Sequence, residues 1–163
     1  MSVTLHTSLG NIKIEVFCDS VPKTAENFLA LCASNYYDAS PFHRLIPTFM
    51  IQTGGPSPPT PPLSSSPQRR HLHLEHPLLR RNPTFSAPPR PRHRPETNGS
   101  QFFILFAPAP HLDGQNTVFE HVIGEESLRV LGDLEALEVD RKNRPKEKVL
   151  IEGVTVHANP LAG

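Results

Sequence analysis

The chain has 163 residues, a length that corresponds to one domain. Its 19 prolines and its hydrophobic fraction of 37% are unusual for an ordinary globular domain. A formal net charge of zero argues against a chain that as a whole binds nucleic acid or a membrane surface. No apolar run approaches the roughly 18 residues of a membrane span, and the first residues lack the basic and apolar parts of a leader. With only Cys18 and Cys32, we expect free thiols and an intracellular protein.

Residues 1–55 have the pattern of a folded α+β unit. Two runs of alternating apolar and polar residues predict two strands, joined by a turn at residues 8–10. A helix is expected to begin at Pro22 and to end at Ser34 and Asn35. Its apolar face is formed by residues spaced three and four apart, which are Ala25, Phe28, Leu29 and Cys32. Residues 42–46 and 49–53 predict two further strands.

Residues 56–96 differ in composition from the rest of the chain. They contain 12 of the 19 prolines and seven arginines, and their net charge of +5 leaves −5 for the remainder. Prolines this dense deny hydrogen bonds to strands and interrupt helices, so we predict a disordered Pro/Arg-rich segment that contributes no strand. His71, His73 and His76 lack a fourth ligand at a sensible spacing, and no metal site is predicted there.

Residues 97–163 return to a foldable pattern. Strands are predicted at residues 101–106, 117–123 and 149–157, the last with a bulge at Gly153. A helix is predicted over residues 127–137, with Leu128, Leu131 and Leu134 on its apolar stripe. Foldable parts therefore lie on both sides of the Pro/Arg-rich segment.

Four motifs in these two parts resemble those of the cyclophilins. Residues 42–54 read Phe-His-Arg-Leu-Ile-Pro-Thr-Phe-Met-Ile-Gln-Thr-Gly and are similar to the family motif F-H-R-x-I-x-x-F-M-x-Q-x-G. Thr-Asn-Gly-Ser-Gln-Phe-Phe-Ile at residues 97–104 resembles the second signature, and residues 111–119 resemble the third. The helix start at residues 21–28 matches as well. Residues 32–37 and 156–160 are most similar to the short single-domain cyclophilin J type, also called peptidyl-prolyl isomerase-like 3.

The resemblance implies a mainly β fold, an eight-stranded antiparallel barrel capped by two helices. It implies a single domain over residues 1–163, interrupted at residues 56–96, and we expect that segment to leave the barrel incomplete. The implied activity is peptidyl-prolyl cis–trans isomerisation without a cofactor. Rotation about an X–Pro bond faces a barrier of roughly 18–20 kcal/mol, and lowering it requires neither a nucleophile nor a metal ion.

By the resemblance, Arg44 is the catalytic donor, because its planar cation suits a carbonyl oxygen and the adjacent prolyl nitrogen. Since bond rotation transfers no proton, His43 is not expected to act as an acid or base, and neither is His111. The residues expected to bind substrate fall into three groups. An apolar set grips the proline ring and consists of Phe49, Met50, Phe103 and Leu112. Gln52 and Gln101 hold backbone groups of the substrate, and His111 and Asn116 replace the usual family residues.

The chain departs from the family in the Pro/Arg-rich segment and at three single positions. A family strand ending in Ser-Met-Ala-Asn is absent, although the spacing from Gln52 to Gln101 is close to that of the family. Equal length with different content favours the hypothesis that the same nucleotides are read in another frame, or that an exon boundary is misplaced, which independent transcripts would test. His111 replaces a cyclosporin-contacting Trp and Asn116 replaces the usual pocket His, so weak cyclosporin binding is expected. Glu120 replaces a Gly, and we expect a surface change only.

Three functions are considered from these features. The first is an isomerase that acts on proline-containing proteins and assists folding or assembly. The second is a catalytically impaired scaffold that binds proline peptides or associates with a splicing assembly. Cyclophilin J-like proteins resemble components of such assemblies, and that resemblance implies the nucleus and/or the cytoplasm. The third, a nucleic-acid contact, ranks last because no aromatic residues are interleaved with the arginines. Those arginines are Arg69, Arg70, Arg80, Arg81, Arg90, Arg92 and Arg94.

Overall fold

The protein is described by a computed structural model that covers residues 1–54, 99–113 and 116–157, together with the backbone of residues 84–86. In chain order the described elements are β1 (Ser2–Thr7), β2 (Gly10–Val16), α1 (Pro22–Ala33), β3 (Ser40–Pro41), β4 (Arg44–Ile46), β5 (Met50–Thr53), β6 (Thr84–Ser86), β7 (Phe102–Leu105), a 3-10 helix (Pro110–Leu112), β8 (Val118–Ile123), α2 (Glu125–Glu135) and β9 (Leu150–His157). No helix in this part of the chain is long and apolar enough to cross a membrane.

The nine described strands form one antiparallel sheet in the order β3-β9-β1-β2-β8-β6-β7-β5-β4. Its two end strands, β3 and β4, are separated in the chain only by Phe42 and His43. The Phe42 N–H donates to the Val149 carbonyl and the His43 N–H donates to the Gln52 carbonyl, so the chain passes directly from one end of the sheet to the other. Because the ends meet, the sheet must curl into a barrel-like shape.

The strands and the helix expected in the first third are confirmed, except that the strand predicted over residues 42–46 is limited to Arg44–Ile46. β1 and β2 pair in register from Ser2 opposite Glu15 to Thr7 opposite Gly10. Gly10 has a backbone φ of 134°, which residues with a side chain rarely adopt. Helix α1 begins at Pro22 and ends in the cap residue Ser34. Three of its four predicted apolar residues, Ala25, Phe28 and Cys32, belong to the main core. Leu29 is partly buried and packs against that core.

The second helix is confirmed with a shifted apolar face. Its buried residues are Ser127, Val130, Leu131 and Leu134. Leu128, which we expected on this face, is 47% exposed, so that prediction is wrong. The bulge expected in β9 is confirmed, because Thr7 pairs with Ile151 while His6 pairs with Gly153.

Strand β6 corrects the prediction that residues 56–96 contribute no strand. Thr84–Ser86 pairs with β7 on one side and with β8 on the other, and it thereby bridges the gap that we expected in the barrel. The reason lies in the local sequence, since residues 84–87 between Pro83 and Pro88 contain no proline and include Thr84 and Phe85, which favour strands. The remainder of the segment, and the disorder predicted for it, lie outside the described residues.

Glu120 corrects the expectation of a surface change, because it is completely buried. Two residues of β8 oppose one residue of β6 where Phe85 pairs with Glu120 and Ser86 with Val118, and this bulge leaves Phe119 and Glu120 both buried. Neither carboxyl oxygen of Glu120 has a hydrogen-bond partner among the described residues. Burial raises the pKa of the Glu120 carboxyl well above its ordinary value, so in the folded chain this group keeps its proton to a higher pH than it would in water.

We expect the free energy of unfolding to fall as the pH rises above about 4.3, the ordinary glutamate pKa. The unfolded chain releases the Glu120 proton there, whereas the folded chain holds it until its raised pKa is reached. The stabilisation is thus complete at acidic pH and is lost towards higher pH. Glu120→Gln cannot titrate, so it should remove this pH dependence and exceed the wild type in stability at neutral pH. Urea denaturation at several pH values measures both effects.

The matched control for this experiment is Glu152→Gln, which changes an exposed glutamate on β9. That variant should keep the pH dependence of the wild type. A Glu120→Gln protein with the unchanged wild-type pH profile would show that the buried carboxyl does not hold its proton.

Candidate active site

One face of the sheet brings Arg44, Gln52 and Phe103 into a single row across three strands. Arg44 pairs with Gln52 between β4 and β5, and Gln52 pairs with Phe103 between β5 and β7. Residues that oppose each other in an antiparallel pair lie on the same face, with Cβ atoms about 4.5–5.5 Å apart. The strand register therefore places the expected catalytic arginine and the two expected substrate-binding side chains side by side.

A second row on the same face lies two residues further along each strand. It consists of Ile46, Met50 and Leu105, which oppose one another in the same register. Met50, Phe103 and Leu105 are the buried residues of a hydrophobic cluster separate from the main core, and Ile46 packs against it. The intervening residues Leu45, Ile51 and Ile104 point the other way and are fully buried in the main core. The alternation of strand residues thus gives this sheet a core face and a site face.

Phe49 and Leu112 complete this apolar cluster, which we call the apolar slot. Both are partly buried and pack against the cluster of Met50, Phe103 and Leu105. Leu112 is supplied by the 3-10 helix that follows β7, and Phe49 by the turn that precedes β5. All four residues predicted to grip a proline ring therefore lie in one cluster.

The polar side of the site is formed by Arg44 and two glutamines. Gln52 is only 7% exposed, and its Nε2 donates to Oε1 of Gln101 over 3.0 Å. Arg44 is exposed, and its guanidinium makes no ion pair with any described residue. A permanently charged donor next to an apolar slot can therefore hydrogen-bond to a peptide bound there.

His43 lies next to the arginine in sequence and adds no second positive charge to the site near neutral pH. Burial lowers the pKa of His43 below its ordinary value of 6.5, and the charge of Arg44 lowers it further. The imidazole is therefore uncharged near neutral pH, and the positive charge of the site is that of Arg44.

His111 lies in the 3-10 helix that supplies Leu112, and Asn116 follows that helix in the chain. The His111 ring lies against the Phe49 ring, with centroids 5.3 Å apart and planes inclined by 39°. The Asn116 N–H donates to the Leu112 carbonyl over 3.3 Å. The Asn116 Oδ1 is buried and accepts no hydrogen bond from the described residues.

The loop that carries Gln101 is anchored by residues that sequence reasoning missed. The Tyr37 hydroxyl donates to the Ser100 carbonyl over 3.0 Å, and the Tyr36 hydroxyl donates to the Ser100 Oγ over 3.1 Å. A Cβ at Gly54 would lie 2.2 Å from the Ser100 oxygen, so this approach requires glycine. The only available signal was the Tyr-Tyr pair within the cyclophilin J resemblance, because these contacts join residues distant in sequence.

The described residues contain no group of three or more His, Cys, Asp or Glu side chains that could hold a metal ion. His71, His73 and His76 lie outside the part of the chain that the structure describes, as do the seven arginines of the third functional hypothesis.

Comparison with known proteins gives a consistent result. Residues 2–156 match the family "Cyclophilin type peptidyl-prolyl cis-trans isomerase/CLD". The chain is 61% identical to the peptidyl-prolyl cis-trans isomerase-like 3 of Neurospora crassa and 48% identical to that of Homo sapiens, in each case over 99% of both chains. A cyclophilin type isomerase of Cryptosporidium parvum, solved in the presence of the dipeptide Ala-Pro, superposes with a TM-score of 0.83 at 32% identity and covers 98% of this chain and 100% of its own. Both the fold and the sequence thus assign this chain to the cyclophilin family of peptidyl-prolyl cis–trans isomerases.

Proposed function

We propose that the chain accelerates rotation about X–Pro peptide bonds in proteins and so assists their folding or assembly. The observation that carries the proposal is the row of Arg44, Gln52 and Phe103 beside the apolar slot. The proline ring of the substrate enters the slot, where Phe49, Met50, Phe103 and Leu112 surround it. The Cryptosporidium parvum relative was solved in the presence of the dipeptide Ala-Pro, which contains the X–Pro bond that the proposal requires.

Catalysis in this proposal is electrostatic and involves no covalent intermediate. As the C–N bond twists, amide resonance is lost and the prolyl nitrogen becomes a hydrogen-bond acceptor. Arg44 donates to the peptide there, and it does so more strongly in the twisted state than in either planar isomer. Gln52 and Gln101, joined by their own hydrogen bond, hold the backbone of the substrate so that only the far side of the X–Pro bond rotates.

The second candidate is a scaffold that binds proline peptides without turnover, for instance within a splicing assembly in the nucleus or cytoplasm. It is favoured by the departures from the family at His111 and Asn116, because altered contacts with the peptide can lower turnover while the apolar slot stays in place. The assembly and the location rest on the resemblance to cyclophilin J-like proteins. Peptide binding without acceleration of isomerisation would favour this candidate over the first.

Arg44→Ala should lower kcat/KM for an X–Pro tetrapeptide by about 10²–10³, the usual effect of removing one well-placed electrostatic donor. Because Arg44 is exposed at an end strand of the sheet, the variant should unfold at nearly the wild-type temperature. A protease-coupled isomerisation assay and a thermal melt measure the two quantities.

Arg129→Ala is the matched control, since it removes another exposed arginine, located on helix α2. Its activity should equal that of the wild type. Arg44→Lys should recover little activity, because an ammonium cannot present the planar pair of donors. Near-wild-type turnover in a folded Arg44→Ala protein would remove this residue from the mechanism.

Cyclosporin should bind weakly, because His111 offers less apolar surface than the Trp it replaces and has no indole N–H. His111→Trp should therefore tighten binding, whereas binding of a proline tetrapeptide should change less. Isothermal titration of both proteins with both ligands measures this difference. Nanomolar binding of cyclosporin by the unmodified chain would contradict the expectation.

A further inference from the structure

The turn that leads into the apolar slot is strained. β4 and β5 are joined by residues 47–49, and the Phe49 N–H donates to the Ile46 carbonyl over 3.0 Å, which closes a β-turn around Pro47 and Thr48. Thr48 has a φ of 65°. Proline followed by a residue with positive φ is the pattern of a type II turn, whose second position favours Gly or Asn. A β-branched threonine there is costly, so the turn needs support from elsewhere in the fold.

Glu135 gives that support. Its Oε1 accepts the backbone N–H of Thr48 over 2.8 Å, across 87 residues of sequence. Glu135 is the last residue of α2. A carboxylate is electrostatically unfavourable at this end of a helix, where the partial charge of the backbone is negative. Its position therefore gives α2 no advantage, whereas it fixes the strained turn.

The turn also fixes the position of the slot residue Phe49. Phe49 follows Thr48 directly, and its carbonyl accepts the Phe106 N–H over 3.0 Å at the end of β7. Met50, the next residue, is 3% exposed and belongs to the apolar cluster of the site. A change in the Thr48 backbone would move Phe49, and with it the wall that the His111 ring contacts.

We propose that Glu135 is a positioning residue for substrate binding: its carboxylate locks the Pro47-Thr48 turn and so holds Phe49 against the proline ring. This inference rests on the proposed function. Glu135 does not touch the substrate, and Arg44 lies on β4, on the other side of the turn. Loss of the Glu135 contact should therefore weaken substrate binding and leave the chemical step intact.

Glu135→Ala should raise KM, and the Kd of a non-hydrolysed proline peptide, by about fivefold, the factor that corresponds to roughly 1 kcal/mol, with kcat unchanged. Its melting temperature should fall less than the loss of this hydrogen bond alone would cause, because the unfavourable charge at the end of α2 is removed with the contact. Glu135→Gln keeps the acceptor oxygen and should bind nearly as tightly as the wild type. The control is Asp133→Ala, which removes a neighbouring exposed charge from the same helix end and should change neither quantity.

Thr48→Gly provides the decisive test, because glycine adopts a positive φ without support. In the Thr48→Gly background, Glu135→Ala should have little effect on KM or Kd. If Glu135 instead acted only by holding α2 in the fold, its removal would be equally harmful in both backgrounds, and that result would overturn the inference. Unchanged KM and Kd in Glu135→Ala alone would overturn it as well.

The two proposals fail in different ways in this experiment. A wild-type chain that binds the peptide without turnover would remove the isomerase function, and the inference would then be judged on Kd alone. If the wild-type chain turns over the peptide and Glu135→Ala leaves KM unchanged, the role of Glu135 is wrong and the isomerase function stands. A wild-type chain that neither binds nor turns over the peptide would overturn both.

Discussion

The pairing of β5 with β7 joins the two halves of this protein and creates its site at the same time. Four residue pairs, from Met50 opposite Leu105 to Thr53 opposite Phe102, connect segments separated by the Pro/Arg-rich segment. One face of this ladder adds Ile51 and Ile104 to the main core, and the other adds Met50, Gln52 and Phe103 to the slot. Because strand residues alternate strictly, a slip of one residue would exchange the two faces, so the register is fixed by the core.

Contacts outside the ladder hold the two ends of this pairing. At one end, Gly54 allows the Ser100 carbonyl to approach closely, and the hydroxyl of the buried Tyr37 donates to that same carbonyl. At the other end, the Phe49 carbonyl accepts the Phe106 N–H, and the turn before it is bonded to Glu135. The described residues thus support the site from helix α2 and from the segment after α1, with Arg44 left exposed to meet a substrate.

The sequence predicted those parts of the structure that depend on local pattern. The alternation of apolar and polar residues predicted β1 and β2, and apolar residues spaced three and four apart predicted α1, because each of these elements buries one regular face. The site residues came from the resemblance, and the shared register of Arg44, Gln52 and Phe103 explains why that motif has its spacing. Which family the chain belongs to was equally visible in its motifs.

The errors concern features that only tertiary structure decides. Thr84–Ser86 forms a strand because it pairs with β7 on one side and with β8 on the other, although prolines surround it. Leu128 is exposed and Glu120 is buried, since the face that each presents depends on neighbouring elements and on a bulge. The contact between Glu135 and Thr48 crosses 87 residues of sequence, and no periodicity signals it.

The proposed function requires that β5 and β7 pair stably in a chain with this Pro/Arg-rich segment between them. Amide hydrogen exchange of the full chain, resolved by residue with NMR, tests it most directly. If the pairing is stable, amides of Met50–Thr53 and Phe102–Leu105 should exchange as slowly as those at Ile12 and Ile14 in the β1–β2 hairpin. Exchange in β5 and β7 at the rate of an unstructured chain would contradict it, because the slot and the Arg44 row would then have no common scaffold.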